Sequence, residues 1–209
     1  MIFLYSLLIA FLLVFVSELG DKTQLLVLSF SSKLKTSTIL IGVALGSFFS
    51  HGVAILFGSS IGLVENSTLH FILEIITYLS FIIFGIISFL PQKDSNEKDL
   101  NKKDSFLMKL SKYGIGYIFI IALSIAVGEL GDKTFLASIG LGISYPHFKL
   151  FLVIGAILGM VASDLLAIFF GKFLSSKVSD SVMQKFSGIL FIIFGLIGLV
   201  HFICTQVTG

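Results

Sequence analysis

Ser17-Glu18-Leu19-Gly20-Asp21-Lys22-Thr23-Gln24 returns, 111 positions later, as Gly128-Glu129-Leu130-Gly131-Asp132-Lys133-Thr134-Phe135. The six central residues are identical, and each copy lies inside apolar sequence. Further landmarks repeat in the same order. Phe81–Gly85 and Phe191–Gly195 both read FIIFG at an offset of 110, and Gly46 and Phe57-Gly58 return as Gly159 and Phe170-Gly171 at 113. Landmarks in one order at a nearly constant offset indicate a chain built from two duplicated halves.

Apolar residues make up 56% of the 209 positions and charged residues only 12%. Soluble domains carry about 25% charged residues, so this chain cannot dress a water-facing surface, and the bilayer is its natural solvent. Six apolar stretches are long enough to span, given a need for about 20 residues each. They are Ile2–Phe30, Thr38–Leu63, Leu69–Leu90, Tyr113–Leu141, His147–Leu174 and Val182–Ile203. The first and fourth carry the charged motifs and are expected to be kinked or broken there. No stretch alternates as a barrel strand would. Three spans per half is an odd number, which turns the second half upside down relative to the first. The expected fold is therefore an all-α membrane protein of six transmembrane helices, arranged as two inverted three-helix repeats. Residues 1–91 form the first repeat, 92–112 a charged linker after Pro91, and 113–209 the second repeat.

Lysine placement orients the chain. Of its 14 basic residues, all lysines, two lie in the motifs, eleven fall on the linker side and only Lys149 on the other. The positive-inside rule puts the linker in the cytoplasm and both termini outside. Ile2–Val16 has the apolar character of a signal-peptide core but lacks a basic leader and a small-residue cleavage site, so it reads as a retained helix. The single cysteine, Cys204, leaves no internal disulfide and no cysteine-based metal cluster. Gly42/Gly46 and Gly155/Gly159 are small-residue pairs at helical spacing, suited to close helix packing.

The chemistry lies in the motifs. Glu18 and Asp21, like Glu129 and Asp132, are three apart and would share a helix face. Lys22 and Lys133 follow the glutamates by four, the favourable order for an intrahelical ion pair. Thr23 and Thr134 add hydroxyl oxygens. A charge at mid-bilayer costs about 2.5–3.5 kcal/mol even on the lenient insertion scale, so six charges must face the protein interior or water. A polar cluster that merely locks the bundle does not require the same six residues twice. Each fully ionised motif sums to one negative charge, and the two together complement one divalent cation. Carboxylate and hydroxyl oxygens suit Mg²⁺, Ca²⁺ or Mn²⁺, and the same carboxylates could hold protons when no metal is bound. His51 and Asp164 occupy equivalent positions at the offset of 113, so the halves differ at one titratable site. The expectation is that Asp164 assists the cation or proton step and His51 tunes it, with Ser50 and Ser163 beside them. His70, His147 and His201 lie near membrane edges.

The tandem motif resembles that of the two-repeat calcium/manganese cation:proton antiporter family, marked by E-x-G-D-[KR]-[TS] in the first helix of each repeat. Both copies match it fully, at Glu18, Gly20, Asp21, Lys22, Thr23 and at Glu129, Gly131, Asp132, Lys133, Thr134. The resemblance implies efflux of Mn²⁺, with Ca²⁺ as an alternative cargo, in exchange for protons. It also implies metal binding by the motif carboxylates and threonines, supported by Lys22, Lys133, Asp164 and His51. The short chain without a transit peptide resembles the bacterial members, which implies the plasma membrane. Metal ion and proton are substrates; no resident cofactor and no nucleic acid is expected. Three other readings compete. An intramembrane aspartyl protease needs two aspartates sharing a proton, which a lysine after each Asp would spoil. A small-solute exporter of the same layout would need an apolar pocket beside the motifs. A passive channel or assembly factor would show no saturable, proton-dependent metal flux.

Overall fold

The computed structural model describes residues 2–19, 21–31, 34–64, 67–90, 116–177 and 180–208. The linker expected at 92–112 lies outside the described residues, as do Gly20 and the side chain of Lys22. The described residues are almost entirely helical, with no strand. In order they are α1 (Ile2–Glu18), α2 (Lys22–Ser31), α3 (Thr36–Ser47), a π-helical turn (Phe48–Gly52), α4 (Val53–Gly62), α5 (Ser67–Ile87), α6 (Tyr117–Glu129), α7 (Lys133–Ser144), a 3₁₀ turn (Pro146–Phe148), α8 (Lys149–Lys177) and α9 (Asp180–Thr208).

Among the described residues, three helical segments are long and apolar enough to cross a membrane by themselves: Thr36–Gly62, Pro146–Phe169 and Lys185–Cys204. The first and fourth apolar stretches are each divided at the motif, into α1 and α2 and into α6 and α7. The polarity runs inside out. Phe3, Ile41, Phe57, Phe119, Leu150 and Phe169 are exposed, while Glu18, Gln24, His51, Glu129, Thr134 and Asp164 are buried. Such an exterior is stable only in an apolar solvent, and the buried polar groups then mark where the chain does its work.

Lipid tails are as apolar as leucine, so helix association here rests on close packing rather than on water exclusion. The glycines show how the halves meet. A Cβ on Gly85 would meet the side chain of Ile192, and a Cβ on Gly195 would meet that of Ile82. These are matching positions of the two FIIFG segments, each touching the other reciprocally. Residue numbers rise on α5 as they fall on α9, so the two helices run antiparallel. Phe81 and Phe191, also equivalent, stack edge to face with centroids 6.1 Å apart. Elsewhere α1 packs along α8, α3 along α6 and α4 along α7. These contacts are also exchanged when the halves are exchanged.

The glycine pairs seen in sequence sit in two of these seams. A Cβ on Gly46 would lie 2.8 Å from the Ala122 carbonyl oxygen, and one on Gly159 would lie 2.6 Å from that of Phe11. Backbone cannot yield as a side-chain tip can. Gly159→Leu should therefore destabilise the fold by about 1–3 kcal/mol, the usual cost of overpacking. Thermal unfolding in detergent checks this; an unchanged transition would mean that α1 and α8 are not packed this tightly.

Candidate metal centre

The two motifs break their helices by a turn that is visible in the second copy. Glu129 closes α6, Leu130 takes φ −61° and ψ 119°, and Gly131 takes φ +81°. The Asp132 N–H donates to the Glu129 carbonyl at 3.1 Å. This is a type II turn, which requires a positive φ at its third residue and so favours glycine there. Asp132 is then the N-cap of α7. In the first copy the Asp21 N–H likewise donates to the Glu18 carbonyl, at 3.2 Å.

Two expectations change as a result. Glu and Asp of one motif do not share a helix face, because the glutamate ends one helix and the aspartate stands before the next. In the second copy the intrahelical ion pair from glutamate to lysine fails for the same reason. Lys133 is half-buried and makes no ion pair among the described residues.

The break projects each glutamate inward. Glu18 and Glu129 are both only 1% exposed, and His51 is fully buried. One ligand atom from each of the three lies within 4.8 Å of the others. Metal–oxygen distances of about 2.0–2.6 Å put opposite ligands of one ion about 4–5 Å apart, so this spacing suits a single cation. Both Glu18 carboxylate oxygens, Glu129 Oε1 and His51 Nε2 are buried without a hydrogen-bond partner among the described residues. Buried polar atoms are ordinarily paired, and exceptions call for a reason; a cation that uses them as ligands is one.

The threonines cross between the repeats. Thr134 lies against the Glu18 carboxylate and Thr23 against that of Glu129. Within its own motif, Thr134 Oγ1 is 3.4 Å from both Glu129 Oε2 and Asp132 Oδ2, and Thr23 Oγ1 donates to Asp21 Oδ2 at 3.5 Å. Asp21 and Asp132 are half-buried at the margin, near enough for their charges to act on Glu18. Asp164 is fully buried, with no hydrogen-bond partner for either oxygen among the described residues. It lies within electrostatic reach of Asp21 and Glu129 but outside the three-residue cluster.

Several participants were not anticipated. Gln24 Nε2 donates to Ser163 Oγ at 2.7 Å and to the Ser163 carbonyl at 3.2 Å, tying α2 to α8 beside Asp164. Ser138 Oγ lies 3.1 Å from His51 Nδ1 and donates to the Thr134 carbonyl at 2.8 Å. The only sequence hint of Ser138 is its place four residues after Thr134, on the same helix face. The π turn at Phe48–Gly52 carries His51 and has no counterpart in α8, which is continuous. Ser50 bonds back to the Gly46 carbonyl at 3.2 Å, not toward the site.

A bundle of apolar-surfaced helices, two of them broken around facing buried carboxylates, is the architecture of an ion-handling membrane protein. The chain belongs to the family described as divalent cation/proton antiporter GDT1, whose model matches residues 6–96 and 117–203. The family is one of membrane transporters of divalent cations. Its relatives include a Vibrio cholerae protein named "Putative manganese exporter", 25% identical over 86% of this chain and 83% of that protein. Protein PAM71, chloroplastic, of Arabidopsis thaliana is 26% identical over 90% of this chain. The chain spans about half of that protein, 55% of its length. The GDT1-like protein sll0615 of Synechocystis is 25% identical over 89% of this chain and 92% of its own. No solved structure matches the chain significantly.

Proposed function

We propose that this protein exports Mn²⁺, with Ca²⁺ as a second cargo, from the cytoplasm in exchange for protons. The observation that carries this is the convergence of Glu18 and Glu129, one from each broken helix, on one buried point with oxygens unpaired. The relative named "Putative manganese exporter" supports the choice of metal, and its bacterial source supports a place in the plasma membrane.

Residues 1–91 and 113–209 form the two inverted repeats and cross the membrane six times, joined by the cytoplasmic linker 92–112. The reciprocal antiparallel packing of α5 and α9 supports this layout. Glu18, Asp21, Thr23, Glu129, Asp132 and Thr134 supply the oxygens of the site. Lys22, Lys133 and Asp164 adjust its charge. Inward exposure to a near-neutral cytoplasm favours deprotonated carboxylates and metal capture; outward exposure to a more acidic medium favours protonation and release. Rocking of one repeat against the other alternates the two. The aspartyl-protease alternative has no support here, because the buried pair is glutamate.

In a bacterial strain lacking its own manganese exporter, expression should restore growth in toxic Mn²⁺ and lower the cell's Mn content. Restored growth with unchanged Mn content would refute export.

A further inference from the structure

We propose that His51 Nε2 is a direct ligand of the transported ion, that Ser138 is the residue positioning it, and that this nitrogen makes the site prefer a divalent first-row transition ion such as Mn²⁺ over Ca²⁺ or Mg²⁺. It rests on the metal-exchange function above and adds a donor that motif oxygens alone do not supply.

The hydrogen-bond chain decides which ring nitrogen faces the metal. Ser138 has one hydroxyl proton and gives it to the Thr134 carbonyl at 2.8 Å. Toward His51 Nδ1, 3.1 Å away, its oxygen can therefore only accept. Nδ1 must carry the proton, and the lone pair of the neutral ring then sits on Nε2. Nε2 is buried and has no hydrogen-bond partner among the described residues. With Nδ1 engaged by Ser138, it is the nitrogen left for Glu18 and Glu129, in a cluster closed to within 4.8 Å. Metal-ligating histidines ordinarily donate their other N–H to an orienting acceptor in this way. Local backbone serves the same end: the π turn at Phe48–Gly52 holds His51 where α3 meets α4, and such turns recur at functional sites. Position 164, the equivalent in the other repeat, is an aspartate outside the cluster, so the nitrogen enters from one side only.

The consequence is a mixed donor set. Ca²⁺ and Mg²⁺ take oxygen ligands; first-row transition ions also accept imidazole, Mn²⁺ the least strongly of them, so two carboxylates with one imidazole favour a metal that accepts both. The competing possibility is a protonated ring acting as a fixed counter-charge to the glutamates. Nε2 would then be a donor, and the metal would bind to oxygens alone.

Electron spin echo envelope modulation on the purified, tag-free protein loaded with Mn²⁺ separates these. The expected spectrum shows ¹⁴N coupling to the bound Mn²⁺, which changes to ¹⁵N coupling when the histidines are ¹⁵N-labelled and is lost in His51→Gln. Ser138→Ala should weaken Mn²⁺ binding about 10–100-fold, the usual cost of removing an orienting partner, while Ca²⁺ binding changes little and Ser138→Thr restores Mn²⁺ affinity. Bound Mn²⁺ without nitrogen coupling in the wild-type protein would overturn the assignment of His51 and leave the paired-glutamate site standing. Metal binding absent from the wild type, or indifferent to both Glu18→Gln and Glu129→Gln, would overturn the site and this ligand with it.

Discussion

Glu129→Gln and Glu18→Gln will each reduce Mn²⁺ flux to background, a loss of at least about 100-fold, since even outer-shell changes at metal sites cost about 10–100-fold. Each removes a carboxylate oxygen that is buried and unpaired. Each also removes a proton acceptor, so neither half of the exchange survives. The amide keeps the size of the side chain, and neither variant should lose thermal stability. Asp21→Asn and Asp132→Asn act at the half-buried margin and should lower flux less than the glutamate variants do. Initial rates in proteoliposomes, normalised to incorporated protein, check the order. Full flux in both glutamate variants would remove the site.

Gly131→Val will cost most of the activity by a different route. Gly131 sits at φ +81° with no atom within 4 Å of where a Cβ would stand. Space is therefore not the constraint; backbone conformation is. A left-handed residue costs about 1–2 kcal/mol for an ordinary side chain and more for a β-branched one. Relief of that strain would straighten the turn and withdraw Glu129 and Asp132 from their places. Flux should fall on the order of 10-fold or more, whereas Gly131→Asn, which tolerates this region, should retain much of it. Equal rates in the valine and asparagine variants would show that the turn does not position the site.

Much of this was legible because duplication doubles a signal. Identical motifs at matching positions announced two halves, and apolar sequence around the charges announced that they face inward. The break at each motif was expected, but its form was not. Leu130 and Gly131 look helix-compatible in an apolar stretch, and only the positive φ at Gly131 shows why glycine stands there. Helical spacing carried across that break places Lys133 beside Glu129, whereas the turn puts them on separate helices. The sequence-level emphasis on Asp164 over His51 met a similar limit. The two align in register, yet the π turn holds His51 at the glutamates and the continuous α8 leaves Asp164 outside the cluster. An extra residue in one turn of helix has no signature in hydrophobic pattern. Ser138 and Gln24 were hidden because their partners lie on other helices, far away in sequence.

The most direct test of metal-for-proton exchange uses proteoliposomes with an acidic lumen, Mn²⁺ outside at neutral pH and a lumenal pH indicator. Mn²⁺ should accumulate inside above its outside level while the lumen alkalinises; collapsing the pH gradient beforehand should slow entry and remove the accumulation above the outside level, and Glu129→Gln should abolish both signals. Mn²⁺ entry at the same rate with and without the gradient, and with no change in lumenal pH, would contradict proton-coupled exchange.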